Sequence, residues 1–340
     1  MTSFTEGIIL LCIGIFGLVG NLLSIPYFIR RLPGQKTFYT LFIYLSVCDI
    51  IVVIIGMLLY GLPKVSEKYA EETFLVIAPY ILPTFEIGST GGIYFTMAIC
   101  IERYLVVCRP FWYREKAIKS TIYTIPIVCF SVLYNIPRFF ELKTVIDYGP
   151  VYNDTNKYLS VKNKTLEFTT DFDEKMENVS IYSIEATAMR LNVAYYGIYH
   201  IGCAIIFQFM VPLLVLLVGN VMILKQLSKD SLGSSPMCSD GARGQFGPQV
   251  TQHIKRRRSQ IGRTRVTLAI FGIFTTCHLF KWVLNIYELY VRYNLSEKET
   301  EQLLNDSVWF ETVVSVSNTL VVLNSSINFY VYLLKTCWMA

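Results

Sequence analysis

Seven stretches of this chain run for about a membrane thickness with few or no charges: Gly7–Ile29, Phe38–Tyr60, Phe74–Ile101, Thr121–Pro137, Leu191–Leu224, Val266–Val291 and Val308–Leu334. A helix rises about 1.5 Å per residue, so roughly 17–25 apolar residues cross a hydrocarbon core of about 30 Å. Inside that core the backbone must satisfy its own amides, and runs of this length do so as helices. Pro79 and Pro83 in the third run, Pro126 in the fourth and Pro212 in the fifth are compatible with this, because neighbouring helices absorb the freed carbonyls. The expected fold is therefore all-α, one domain spanning 1–340: a seven-transmembrane helix bundle with a long loop at 138–190 and another at 225–265. The bulk numbers agree. The chain is 53% hydrophobic and 16% charged with a mean hydropathy of +0.45, against about a quarter charged in soluble domains.

Orientation follows from the charges between the runs. With the N-terminus outside and the C-terminus inside, the inner segments hold 18 Lys and Arg against 11 in the outer loops, the bias of a positive-inside protein. Glycosylation sequons give an independent reading. Asn153, Asn163, Asn178, Asn294 and Asn305 all fall in the outer loops, and the inner loops contain no asparagine. The first run begins at Gly7 without a cleavable signal and reads as a retained anchor. The inner loop is rich in Gly, Ser and Pro from Ser228 to Pro248 and reads as a flexible linker. It ends in Lys255-Arg-Arg-Arg258 before Ser259, a stop-transfer and anionic-lipid contact or a basic-directed phosphorylation site. The net charge of +5 is mild and gives no sign of a nucleic-acid partner.

Nine cysteines are present, and none falls in an outer segment, so no extracellular disulfide is expected. No Cys/His cluster has metal-ligand spacing and no nucleophile constellation appears, so neither a metal site nor an enzyme is expected. Repeat symmetry for a transporter and a filter sequence for a channel are likewise missing.

The informative residues are the polar ones placed within the apolar runs. An ionisable group at mid-membrane costs about 2.5–3.5 kcal/mol on insertion scales, so each needs a partner or a task. Asp49 lies midway along the second run, with Asn21, Asn324, Ser325 and Asn328 at comparable depth in the first and seventh. They form either a site for a sodium ion or protons, or a hydrogen-bonded knot without an ion. His278, Lys281, Asn285 and Glu288 share one face of the sixth run. Glu311, Ser315, Asn318, Ser325, Asn328 and Tyr332 lie close to one face of the seventh, and Glu86, Ser89, Thr96 and Arg103 mark the third. These stripes turn inward and predict a polar interior opening outward. Ligand contact and internal pairing, such as Lys281 with Glu86 or Glu288, are both expected there. Glu102-Arg103-Tyr104 ends the third run at the inner surface, where the arginine can pair with its neighbour and be released toward a cytoplasmic partner.

Gly20-Asn21, Leu45-Ser-Val-Cys-Asp49, Glu102-Arg103-Tyr104, Phe207 to Pro212, Phe274-Thr-Thr-Cys277 and Asn324-Ser-Ser-Ile-Asn328-Phe-Tyr-Val-Tyr332 together resemble the signatures of rhodopsin-like G-protein-coupled receptors, in order and over nearly the whole chain. A narrower resemblance, to invertebrate FMRFamide-type neuropeptide receptors, rests on Asn135-Ile-Pro-Arg-Phe-Phe-Glu141 and the Lys281 to Glu288 stretch. The resemblance implies a plasma-membrane receptor with two partners besides lipid: an extracellular peptide of RF-amide type and a heterotrimeric G protein. It implies a ligand site among helices three, five, six and seven, with Glu86, Ser89, His278, Lys281, Asn285, Glu288, Glu311 and Ser315 as its residues. Glu102, Arg103, Tyr104, Asn328 and Tyr332 become the coupling switch. Asp49, Asn324, Ser325 and Asn328 become the sodium-site candidates, an allosteric ion being the only cofactor implied. The peptide's arginine calls for an inward carboxylate from Glu86, Glu288 or Glu311.

The chain also departs from that pattern. Ala78 stands where the family has its disulfide cysteine, Cys277-His278-Leu279-Phe280 replaces C-W-x-P, and Phe329 replaces the proline of N-P-x-x-Y. About six residues precede the first run, and the chain stops at Ala340, short of the family's eighth helix. A chemosensory seven-helix receptor for small molecules, or a divergent receptor with weakened coupling, are the alternative expectations. The outer loop carries nine acids against seven bases between Arg138 and Arg190, which favours a basic peptide over those alternatives.

Overall fold

A computed structural model describes residues 2–116, 118–150, 178–233, 248–294 and 308–338. Nearly every apolar run lies within a helix that outlasts it. The first helix is Thr2–Ile29, the second Lys36–Val65, the third Tyr69–Cys108 and the fourth Thr121–Phe140. The fifth, Val193–Lys229, continues to Gly233. The sixth is Pro248–Asn294 and the seventh Val308–Trp338.

Three expected boundaries are corrected. The third helix runs on to Cys108, so Arg103 sits inside it and not at its end. The segment 225–265 is helical on both flanks, as extensions of the fifth and sixth helices. Residues 234–247, most of the expected linker, lie outside the described residues, as do the side chains of Lys255–Arg258 and Ser259. The long loop from 138 begins as a tight helical turn, Ile136–Phe140, and leads into an antiparallel hairpin. Its strands, β1 (Leu142–Pro150) and β2 (Asn178–Ala186), pair from Leu142 with Ala186 to Pro150 with Asn178. Val145, Ile146, Tyr148, Val179, Ile181 and Tyr182 give these segments the β-branched and aromatic content that a pleated surface favours.

Six helices among the described residues are long and apolar enough to cross a membrane. The seventh is as long but is diluted by Glu311, Ser315, Ser317, Asn318, Asn324, Ser325, Ser326 and Asn328. It packs against the first, second and sixth helices, and Ser317, Ser325, Ser326 and Asn328 are buried there. Its polarity thus faces protein, where partners exist, and not lipid. The first helix shows the complementary pattern, with Ile15, Val19, Leu22 and Leu23 on its outside.

The first and seventh helices touch closely. A Cβ at Gly17 would collide with Ser326, and one at Gly20 would come within 2.6 Å of the Tyr330 ring. The Gly14-x-x-Gly17-x-x-Gly20 face is therefore taken up within the bundle, Gly14 against Met57. The bundle has two ends that matter for function, one carrying the hairpin and the other Arg103.

Candidate functional site

At the hairpin end, Lys281 of the sixth helix donates to Glu86 Oε1 of the third at 3.0 Å. The carboxylate side chain is 8% exposed and the lysine 20%, so the pair is mostly but not wholly dry. Asn135 and Gln208, from the fourth and fifth helices, both donate to Thr90 Oγ1, at 3.1 and 3.0 Å. Thr90, one turn from Glu86, thereby joins three helices beneath the pair. Glu288 accepts from Tyr196 Oη of the fifth helix at 2.6 Å and leaves Lys281 to Glu86. Of the two pairings expected for Lys281, the structure selects Glu86.

A second carboxylate was not singled out from the sequence. Glu141, where the fourth helix gives way to β1, is bonded by Arg190 Nη1 at 2.7 Å and Tyr195 Oη at 2.9 Å, with His200 Nδ1 3.3 Å away. Thr187, just after β2, donates its backbone N–H to Glu141 O at 2.9 Å and its hydroxyl to Phe140 O at 2.7 Å. Both ends of the hairpin and the start of the fifth helix thus converge on one residue. Burial alone raises the Glu141 carboxyl pKa, but His200, Arg190 and Arg138 outweigh it and hold the group at about 2. The sequence signal was the run Tyr195, Tyr196, Tyr199 and His200 at the head of the fifth helix, unusually polar-tipped for a spanning segment.

The remaining expected ligand residues disperse. Ser89 and His278 line a cavity of about 10 Å³ together with Asp49, Asn324, Ser325 and Asn328. They belong to the middle of the bundle and not to the Glu86–Lys281 pair. Asn285 is half-buried, and Glu311 is exposed with no partner among the described residues. Ser315 faces the first two helices, accepting from Lys64 Nζ at 2.6 Å and donating to Glu6 Oε2 at 2.8 Å. A helical stripe drawn for one ideal face spreads around a real helix, and here the seventh helix shares its polar residues among three neighbours.

In the middle, Asn328 Nδ2 donates to Asp49 Oδ2 at 2.9 Å and Asn21 Nδ2 to Ser325 O at 2.9 Å. Asn328 Oδ1 and His278 Nδ1, both lining the cavity, are buried without a hydrogen-bond partner. Toward the other end, Tyr332 Oη lies 3.3 Å from Tyr39 Oη within an aromatic cluster of Tyr27, Phe28, Phe42 and Phe329. Phe329 packs edge-on against Tyr27 and Phe28, and the helix passes through it unbroken. At the Arg103 end, Glu102 and Arg103 are paired at 2.7 Å with side chains 2% and 0% exposed. Tyr113, on a short helix Pro110–Glu115, donates to Glu102 Oε1 at 3.1 Å. Tyr104 is half-buried beside them.

The bundle thus carries a buried Glu102–Arg103 pair at one end, a half-dry ion pair under a hairpin at the other, and a polar file between them. Residues 11–201 match the family model described as serpentine type 7TM GPCR chemoreceptor Srx. The chain belongs to these serpentine seven-transmembrane G-protein-coupled receptors. It is similar to the FMRFamide receptor of Drosophila melanogaster, 24% identical over 96% of this chain and 51% of that protein. It is also similar to the probable G-protein coupled receptor frpr-1 of Caenorhabditis elegans, 22% identical over 96% of this chain and 74% of that one. The FMRFamide peptide receptor frpr-18 of the same nematode is 24% identical over 95% of this chain and 64% of its own length. The chain spans about half the length of the fly relative. It is a multi-pass plasma-membrane receptor and its family are receptors rather than enzymes.

Cys12, Cys48, Cys100, Cys129, Cys203 and Cys277 of the receptor are free thiols. Where the family pattern has a disulfide cysteine, Ala78 is fully buried, and the hairpin is joined to the third helix by Thr144 Oγ1, which donates to Leu75 O at 2.8 Å. Hydrogen bonds at Thr144 and Thr187 tie the hairpin to the third and fourth helices. Of the sequons, Asn178 lies in β2 and Asn294 is exposed at the end of the sixth helix. Asn153, Asn163 and Asn305 lie outside the described residues.

Proposed function

We propose that this receptor binds an extracellular peptide of RF-amide type at its hairpin end and activates a heterotrimeric G protein through its Arg103 end. The hairpin end faces outward in this reading, which agrees with the loop charges and the sequons. The observation that carries it is the Glu86–Lys281 pair, supported by similarity to FMRFamide receptors over nearly the whole chain. Glu86 is a carboxylate held ready in the bundle by a partly exposed lysine. A ligand guanidinium makes two parallel bonds to a carboxylate where an ammonium acts as a point charge, so it can displace Lys281. Displacement cuts a direct tie between the third and sixth helices and frees the sixth to move. The test is a calcium or cAMP response to amidated peptides ending in Arg-Phe, with Arg103→Ala as the coupling control. A response that survives Glu86→Gln at unchanged potency defeats the assignment of Glu86.

A second reading has one observation of its own, since the matching family model is described as chemoreceptors. In that case small apolar or cationic molecules elicit the response and the peptides do not. Silence to both classes despite surface expression supports a divergent receptor with weakened coupling. We extend the proposal to an allosteric sodium ion. The cavity beside Asp49 holds about one water-sized sphere, and Asp49, Asn324, Ser325 and Asn328 offer the oxygen donors a hard cation takes. The unpartnered Asn328 Oδ1 fits that donor set. Agonist affinity that is the same in sodium and in potassium buffer removes the ion from the scheme.

A further inference from the structure

We propose that Gln35 and Phe38 are positioning residues that hold Arg103 in its resting place, so that the entry to the second helix restrains the coupling arginine. The inference rests on the reading that Arg103 engages a G protein.

Glu102 neutralises Arg103 but cannot restrain it. It is the preceding residue of the same helix, bonded to Arg103 Nε at 2.8 Å and Nη2 at 2.7 Å, and it travels wherever that helix goes. Holding the side chain against the rest of the bundle requires a partner on another element. Among the described residues Gln35 and Phe38 supply it. Gln35 Oε1 accepts from Arg103 Nη2 at 3.1 Å, and Arg103 Cζ lies 3.7 Å from the centre of the Phe38 ring. A guanidinium stacked on an aromatic face with its edge bonded to an amide is fixed in both position and plane. The clamp is itself anchored. Gln35 O accepts from Tyr39 N at 3.2 Å, and Thr37 Oγ1 donates to Ile118 O at 3.1 Å, tying the start of the second helix to the segment after Pro110–Glu115.

The sixth helix offers no acidic partner, because from Pro248 to Tyr287 it contains neither Asp nor Glu, and neither clamp contact lies on it. Movement of the sixth helix alone therefore leaves Arg103 against Phe38. Presentation to a partner requires the side chain to leave the ring and Gln35. Arg103 Nη1, buried without a hydrogen-bond partner, is the group that gains when it does.

Two measurements on the full chain test this. The first is a double-mutant cycle on the melting temperature of the purified receptor in nanodiscs, with Gln35→Ala and Arg103→Met singly and together. The clamp predicts that Gln35→Ala lowers the melting temperature in the native background and leaves the Arg103→Met background unchanged. An equal loss in both overturns it. Should Arg103→Met fail to fold, Gln35→Glu serves instead: a carboxylate facing the guanidinium raises the melting temperature, and a fall overturns the proposal. The second is ligand-independent nucleotide exchange on a panel of heterotrimers at matched surface expression. Gln35→Ala and Phe38→Leu raise it several-fold and Gln35→Glu lowers it. Exchange that no variant moves, alongside coupling in the melts, upholds the clamp and refutes the G-protein reading. Exchange that rises without coupling in the melts refutes the clamp.

Discussion

The receptor's two central ion pairs are built in opposite ways. Glu102 and Arg103 are sequence neighbours on one helix, with side chains 2% and 0% exposed. Glu86 and Lys281 are 195 residues apart on two helices, and the lysine is 20% exposed. The first pair keeps its two charges together whatever the bundle does, since a single helix carries both. The second exists only while the third and sixth helices keep their distance, and its lysine has a route to solvent. A dry local pair suits a switch that must stay silent until released. A half-dry long-range pair suits a contact that a ligand is meant to break.

The comparison is broken most directly at the dry end. Glu102→Ala leaves Arg103 as an uncompensated buried charge, which costs about 3–5 kcal/mol. We expect a large fall in melting temperature together with raised ligand-independent nucleotide exchange, and a variant as stable as the native receptor shows that water reaches Arg103 after all. Glu141→Ala comes next, because it removes the acceptor shared by Arg190, Tyr195 and His200. Hydrogen bonds to charged groups contribute about 1.5–3 kcal/mol each and are not additive, so a loss of about 3 kcal/mol is expected. Faster proteolysis of the hairpin is the local readout. Acid should mimic this variant. The Glu141 pKa is lowered from 4.5 to about 2, so its contribution is present above about pH 4.5 and fades as pH falls through 2. Melting temperature followed from pH 6 to pH 2 should drop less steeply in Glu141→Ala than in the native receptor.

The smallest expected effect on stability is at the pair proposed to meet the ligand. Glu86→Gln keeps the size of the side chain and leaves Lys281 able to reach water, so about 1 kcal/mol is at stake. A loss as large as that of Glu102→Ala means that the Glu86–Lys281 pair is structural glue and not a ligand contact.

How much of this was legible in advance depends on the range of the interaction. The Glu102–Arg103 pairing could be read directly, since the two residues are adjacent and no tertiary knowledge is needed to pair them. Lys281 with Glu86 was one of two options open to the lysine, and only the packing of the fifth helix, which brings Tyr196 to Glu288, decided between them. That Ser315 meets Lys64 and Glu6 could not be read, because a helical stripe gives an azimuth but not which neighbour stands there. Glu141 was overlooked because it lies at a helix end, where charge is ordinary, and its three side-chain partners come from positions between Arg190 and His200. Gln35 gave no signal, being a neutral polar residue in a loop.

What the sequence determined by itself is the class of molecule: apolar runs of spanning length force helices because lipid offers the backbone no other partner. The polar residues within them mark the interior for the same reason. What only the tertiary structure decided is which of those residues meet, that a carboxylate knot and not a disulfide moors the hairpin, and that a glutamine and a phenylalanine hold the arginine. Those outcomes depend on the rotation and crossing of helices, which arise from side-chain packing summed over the whole bundle and are written in no single segment.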